Sequence, residues 1–354
     1  MIKITQESKI YIWGTSLEVR SGGAEVLNLL ADTLKKLGVN AKMFSWDMEV
    51  YEQADYYKNL YDVDCCSWTE IEDNENTVIV LPECMIENPD NLNFFIGFKN
   101  AQFMFWWLSS SFDYADLTKK TSKRIQFSKL KSIEDRSLHI YENEVCGRDI
   151  LYYGLGNRMK LQHGINDLYY TKQKTCEKEN IVLYNAMKPE TREYVENVLI
   201  PATPDIQYEA IRFRGPDAFF TKDEMCNIYD RCKLYIDFCV FEGRELMPRE
   251  ACVRDCILFL GNEGNAATFD DYPIPEKYKL NKYDNVYKIA NTLRKTMFNY
   301  DEQIKDFAFF KNKCMLEPVG WMFYICNIFG PAIKKMNLNC KDEVSGLAYS
   351  YIKN

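Results

Sequence analysis

The sequence predicts an α/β protein built from two Rossmann-like halves in tandem, on three observations. The chain has 354 residues, more than one hydrophobic core organises. Short apolar runs, of the kind a parallel sheet buries on both faces, alternate with segments of helical period. That alternation breaks over a polar stretch, Thr171–Asn180 (TKQKTCEKEN), and restarts behind it.

The first half opens on a strand at Ile10–Trp13 and a loop at Gly14–Ser21. Gly22 and Gly23 then lead into a helix, AEVLNLLADTLKKLG, whose Val26, Leu30, Leu34 and Leu37 recur at helical spacing before a stop at Gly38. A strand at Ala41–Ser45 completes a βαβ unit, which implies a parallel sheet. Thr77–Leu81 and Gln102–Leu108 read as two further strands. The second half reads strand Ile181–Tyr184, helix Glu190–Leu199, strand Gln207–Ile211, helix Asp223–Cys232, strand Leu234–Phe238, helix Pro248–Asp255 and strand Ile257–Leu260. The domains expected are 1–170 and 171–320, followed by a helical segment, 321–354. Trp321–Tyr324 with Ile325, Ile328 and Phe329 reads as a helix packed on the core. Peripheral membrane contact is the alternative, weakened by how few basic residues precede Lys334–Lys335.

Composition narrows the function classes. At 47% hydrophobic and 27% charged, the chain is globular rather than disordered. A net charge of −8 argues against nucleic acid as a partner, since phosphate backbones demand clustered Lys and Arg. No apolar run approaches the ~20 residues of a membrane helix. The start, MIKITQESKIYIWG, has no signal-peptide pattern, so the expected location is cytoplasmic. Thirteen cysteines without paired spacing read as reduced core thiols, and two histidines are too few for a zinc cage. Asp62-Val63-Asp64 reads as a surface turn rather than a cation site. Gly154-Leu155-Gly156-Asn157-Arg158-Met159 lacks the third glycine of a dinucleotide fingerprint. No metal and no cofactor are expected.

Residues 223–264 carry the most chemistry: helix, buried strand, polar loop, short helix, buried strand and glycine loop. Pro248 suits a first helical turn, whose unpaired N–H groups make an anion site flanked by Arg244 and Arg249. Glu242 and Glu250 form an E-x7-E pair, but Glu75/Glu83 and Glu134/Glu142 share that spacing, so only the setting distinguishes it. On the residues alone two readings stand. The carboxylates accept hydrogen bonds from vicinal sugar hydroxyls, or Glu250 complements the helix dipole while Glu242 is a solvated loop residue.

That stretch resembles the donor-binding region of GT-B glycosyltransferases of the large retaining family 4. More narrowly, SGGAEVLNLLADTLKKLG (21–38), VIVLPE (78–83), FWWLSS (105–110), VLYNAMKP (182–189) and KLYIDF…GRELMPREA (233–251) together resemble bacterial surface-polysaccharide glycosyltransferases. The resemblance implies a GT-B fold, two Rossmann-like domains with parallel sheets facing across a cleft, and a last helix crossing back to the first domain. It implies a nucleoside-diphosphate sugar as donor, a glycan or lipid-linked glycan as acceptor, retention, and no metal. Glu250 would bind the ribose, and Glu242, the catalytic candidate, would lie against the donor sugar. The Gly243–Arg244 backbone would lie near the phosphates, Lys188 would offset their charge, and Gly22–Gly23 would let backbone approach phosphate and acceptor. Relatives carry a histidine after a central N-terminal strand; FMFWWLSS offers Trp106, Trp107, Ser109 and Asp113 instead. His139 and His163 read as neutral structural histidines. The rival readings are a phage-type DNA glycosyltransferase on the same fold and a GT-B-like binding protein without turnover.

Overall fold

The structure, a computed structural model, describes residues 2–15, 21–87, 89–109, 126–174, 176–212 and 220–334. Asp113, Lys335 and the rest of the segment to residue 354 lie outside the described residues. The chain divides into two compact units, the first running to His163 and resuming at Val319, the second spanning Gly164–Pro318.

The first unit is built on β1 (Lys9–Trp13), β2 (Asn40–Phe44), β3 (Thr77–Pro82), β4 (Gln102–Trp107), β5 (Ser137–Tyr141) and β6 (Arg158–Lys160), every pair parallel, in the order β2-β1-β3-β4-β5-β6. All positions of β3 and β4 are buried, which is why their sequences, after Thr77 and Gln102, are apolar rather than alternating. Helix α1 (Gly22–Lys36) begins at the N-cap Ser21, whose side chain accepts from Ala24 N at 3.2 Å, and carries Glu25 in its first turn and Lys35 and Lys36 in its last. Its stripe Val26, Leu27, Leu30 and Leu34 joins the sheet's core. β1 is flanked by β2 on one side and β3 on the other, so the strand order reverses at the carboxyl end of β1, where α1 starts. Trp321, Ile325, Ile328 and Phe329, from a helix at Glu317–Phe329, belong to this same core, and Trp321 Nε1 donates to Thr33 Oγ1 at 3.2 Å. β5 and β6 were not legible in the sequence: β6 has three residues and is only half-buried, and β5 (SLHIY) places Ser137 and His139 within its buried run.

The second unit holds β7 (Glu179–Asn185), β8 (Gln207–Ile211), β9 (Cys232–Asp237), β10 (Ile257–Gly261) and β11 (Lys279–Leu280), again all parallel, in the order β11-β10-β9-β7-β8. The helices between them are α2 (Pro189–Tyr194), which continues as a π-helical turn over Val195–Leu199, then α3 (Lys222–Arg231) and α4 (Leu246–Val253). α4 starts ahead of Pro248, because Glu245 rather than Met247 is its N-cap. β7 lies between β8 and β9, so the strand order reverses here too, at the carboxyl end of β7. Gly264, after β10, has φ of 59°, and a Cβ there would sit 2.4 Å from the Phe241 carbonyl oxygen. Glycine is thus required where this loop braces the loop after β9.

Among the described residues no helix is long and apolar enough to cross a membrane, the cysteines are free thiols, and no acidic, His or Cys cluster could hold a metal ion. Asp62 and Asp64 both pair with Lys35 Nζ, at 2.7 and 2.8 Å.

His139 is fully buried on β5, stacked on Phe105, with Trp107 Nε1 donating to its Nδ1 at 3.2 Å. Burial pushes its pKa down from 6.5 to about 4. The unfolded chain therefore takes a proton that the folded chain refuses, and stability present at neutral pH is lost as pH falls through that window. Between pH 7 and pH 5 this group should cost the first unit about 2 kcal/mol. His139→Gln, which keeps an acceptor for Trp107, should flatten that slope in urea titrations. Parallel pH profiles for the two proteins would exclude the buried histidine as its source.

Candidate functional site

The reversal point after β7 is organised by a buried carboxylate. Asp237, the last residue of β9, is 1% exposed and accepts from Asn185 Nδ2 at 2.8 Å, Thr191 Oγ1 at 2.8 Å and Tyr235 OH at 3.1 Å. Thr191 Oγ1 in turn accepts from Phe238 N at 2.8 Å. The end of β7, the end of β9 and the first turn of α2 are thereby tied to one group, which can stay buried only because it is this fully hydrogen-bonded.

Lys188 sits between these fixed points as the N-cap of α2, with Pro189 in the first helical position. Its ammonium is partly exposed and lies 3.8 Å from Glu245 Oε1. Burial acts to lower its pKa, but Glu245, Cys239, Asp237 and Glu242 together outweigh that and raise it. Glu242 is exposed on the loop after β9, and Gly243 is buried beside it. The structure therefore brings Lys188 and Glu242 into one electrostatic neighbourhood and adds two acids that the sequence did not single out, Asp237 and Glu245. Sequence pattern did not mark Glu245, because the helix expected from Pro248 starts two residues earlier, at Leu246, and glutamate is not a favoured capping residue.

Arg244 and Arg249 converge on Glu317. Arg249 has no exposed surface; its Nη1 donates to Glu317 Oε2 at 2.8 Å, its Nη2 to Arg244 O at 3.0 Å and its Nε to Glu245 O at 3.2 Å. Arg244 Nη2 pairs with the other oxygen, Glu317 Oε1. What Arg249 does here is fix the main chain of Arg244 and Glu245, and so the path of the loop into α4.

Glu250 lies on a different face of α4 from this clamp. It is 3% exposed, accepts from Tyr229 OH of α3 at 3.0 Å, and has Lys222 Nζ 3.8 Å from Oε1. The two ends of the E-x7-E pair are thus in unlike settings, one solvated and one interior.

In the first unit, Gly22 opens α1 at the reversal point after β1, and among the described residues a Cβ on Gly23 would meet Leu108 Cδ1 at 3.5 Å and Ser21 Oγ at 3.9 Å. Two acids stand at the same carboxyl edge. Glu83, following β3, accepts from Leu108 N at 3.1 Å and Ser109 Oγ at 2.6 Å. Glu142, following β5, pairs with His163 Nδ1 at 2.5 Å, both side chains buried. Each belongs to an E-x7-E pair whose spacing carried nothing; what marks them is that each directly follows a strand.

No family model and no curated protein matches the sequence. Solved structures share its fold. Anabaena HepE in complex with UDP and glucose superposes with a TM-score of 0.60 at 11% identity, covering 96% of this chain and 100% of that one. Sucrose-phosphate synthase from Thermosynechococcus elongatus gives 0.57 at 10% identity, with 97% and 100% covered. The fold is GT-B. A variant of S. aureus TarM in complex with Fondaparinux, α-GlcNAc-glycerol and UDP gives 0.54 at 15% identity, with 74% of this chain and 57% of TarM covered, so the chain spans little more than half of TarM's length. In GT-B terms, Lys188 and Glu245 stand at the strand-reversal edge of the second unit and Gly22–Gly23 at that of the first.

The clamp of two arginines on one carboxylate gives a direct stability test. Glu317→Gln should destabilise the second unit by about 3 kcal/mol, because it leaves buried guanidinium charge under-compensated. Chemical denaturation followed by tyrosine fluorescence and circular dichroism reads this, since all six tryptophans belong to the first unit. An unchanged midpoint would mean that other groups carry the charge balance.

Proposed function

We propose that the protein is a glycosyltransferase that moves a sugar from a nucleoside-diphosphate sugar to a hydroxyl of a glycan acceptor of the surface-polysaccharide type, with retention and without a metal ion. The observation that carries this reading is Lys188, anchored through the Asp237 network at the strand-reversal point of the second sheet in a GT-B fold. Ligands of open α/β sheets bind at such points, and a lysine there answers phosphate charge. HepE and TarM, which share the fold, were both solved with UDP.

The chemistry follows from the charge that develops. Cleaving the anomeric C–O bond puts negative charge on the leaving diphosphate and positive character on the sugar. Lys188 and the unpaired amides of the first turn of α4 stabilise the former. The exposed carboxylate of Glu242, on the loop next to Lys188, lies against the donor sugar, with the Gly243–Arg244 main chain near the phosphates. Glu250 takes the ribose hydroxyls. Gly22–Gly23, which open α1, let backbone approach phosphate and acceptor closely. The acceptor is a growing, lipid-linked glycan met on the cytoplasmic side of a membrane.

Thermal-shift titration with UDP-, GDP-, dTDP- and CMP-sugars tests the donor; at 100 times Kd a ligand adds about 2.7 kcal/mol of stability. Glu250→Gln should weaken nucleotide binding about tenfold, the worth of one charge-assisted hydrogen bond. A lower melting temperature with unchanged nucleotide affinity would instead make Glu250 a purely internal partner of Tyr229. Transfer should persist in excess chelator; loss of activity that Mn²⁺ restores would overturn the metal-free mechanism.

A further inference from the structure

Glu245 is placed oddly for an N-cap residue. Its side chain makes no capping hydrogen bond to α4 and is turned instead toward Lys188, 3.8 Å away, close enough for attraction but too far for a hydrogen bond. Three carboxylates, Asp237, Glu242 and Glu245, act on this one ammonium. Asp237 is committed to Asn185, Thr191 and Tyr235, and Glu242 is solvated on its loop. A diphosphate arriving at Lys188 therefore meets more negative charge than the lysine can balance, and the group able to yield is Glu245.

We propose that Glu245 competes with the donor diphosphate for Lys188, and that the diphosphate binds with uptake of one solvent proton by the Glu245 carboxylate. The inference rests on the donor reading of this site given above. The groups facing Glu245 support it. Lys188 from the α2 cap and Arg249 from α4 favour the carboxylate. Asp237 at the end of β9 and Glu242 on the following loop oppose it, with Tyr235, Cys239 and Tyr272, whose hydroxyl donates to Glu245 O at 3.4 Å, completing the surround. Burial, the largest influence, already raises the Glu245 pKa, and a neighbouring phosphate raises it further. Neutralising Glu245 removes like-charge repulsion and frees Lys188, so affinity should rise as pH falls.

The test is calorimetry of the full chain with uridine, guanosine and thymidine diphosphates, in buffers of different ionisation enthalpy, for wild type and Glu245→Gln. Comparing the two proteins with the same ligand cancels the ligand's own titration. Glutamine keeps the side chain's size, and no capping bond is lost; Glu245→Ala serves as a second variant, with circular dichroism to confirm folding. Wild type should take up a proton on binding. Glu245→Gln should bind about tenfold more tightly near pH 8, with that uptake gone. Equal or weaker binding by the variant, or unchanged uptake, while Lys188→Ala still loses affinity, would overturn this inference and leave the donor reading intact. Lys188→Ala binding like wild type, or no nucleotide binding at all, would bring down the donor reading and this inference with it.

Discussion

One buried carboxylate governs the geometry of the second unit. Asp237 ends the central strand β9, takes three side-chain hydrogen bonds, and through them joins β7, β9 and α2. A charge so enclosed is tolerated only while its donors remain in place, so the network resists rearrangement as a whole. The position of Lys188 follows from it, since this residue is the link between the end of β7 and the start of α2. The loop after β9 inherits the same anchor at one end and the Arg249–Glu317 clamp at the other.

The clamp and the anchor divide the labour between rigid and responsive charge. Arg244, Arg249 and Glu317 are all buried and mutually engaged, so they set the main-chain path without meeting solvent. Lys188 and Glu245 are partly exposed and 3.8 Å apart, and Glu242 is exposed. Side chains of this second kind can change partners when a ligand arrives, whereas the first kind would have to expose a charge to do so.

The first unit repeats the arrangement with other residues. Its strand order also reverses at the carboxyl end of an inner strand, and a helix with small residues at its start begins there. The acids along that edge, Glu83 and Glu142, are each matched to a local donor or histidine. Helix propensity and capping explain the start of α1, but the pairing of Glu142 with His163 depends on β5 and β6 lying side by side.

The two parallel α/β halves, most of their strands, and the helix after Gly22–Gly23 are legible residue by residue, because burial on both faces and helical periodicity are local properties that leave a local trace. The places of Lys188 and Glu242 after strands, and of Glu250 on a helix, are likewise visible in the local pattern. Short elements such as β6 and β11 were missed outright, since two or three residues carry no period. Which partner each charge has emerges with folding: Glu250 on Tyr229, the two arginines on Glu317, Glu245 toward Lys188. Those partners lie 21, 73, 68 and 57 positions apart in the chain. Neither spacing nor composition encodes contacts of that range, because they exist only once the sheets have brought distant loops to a common edge.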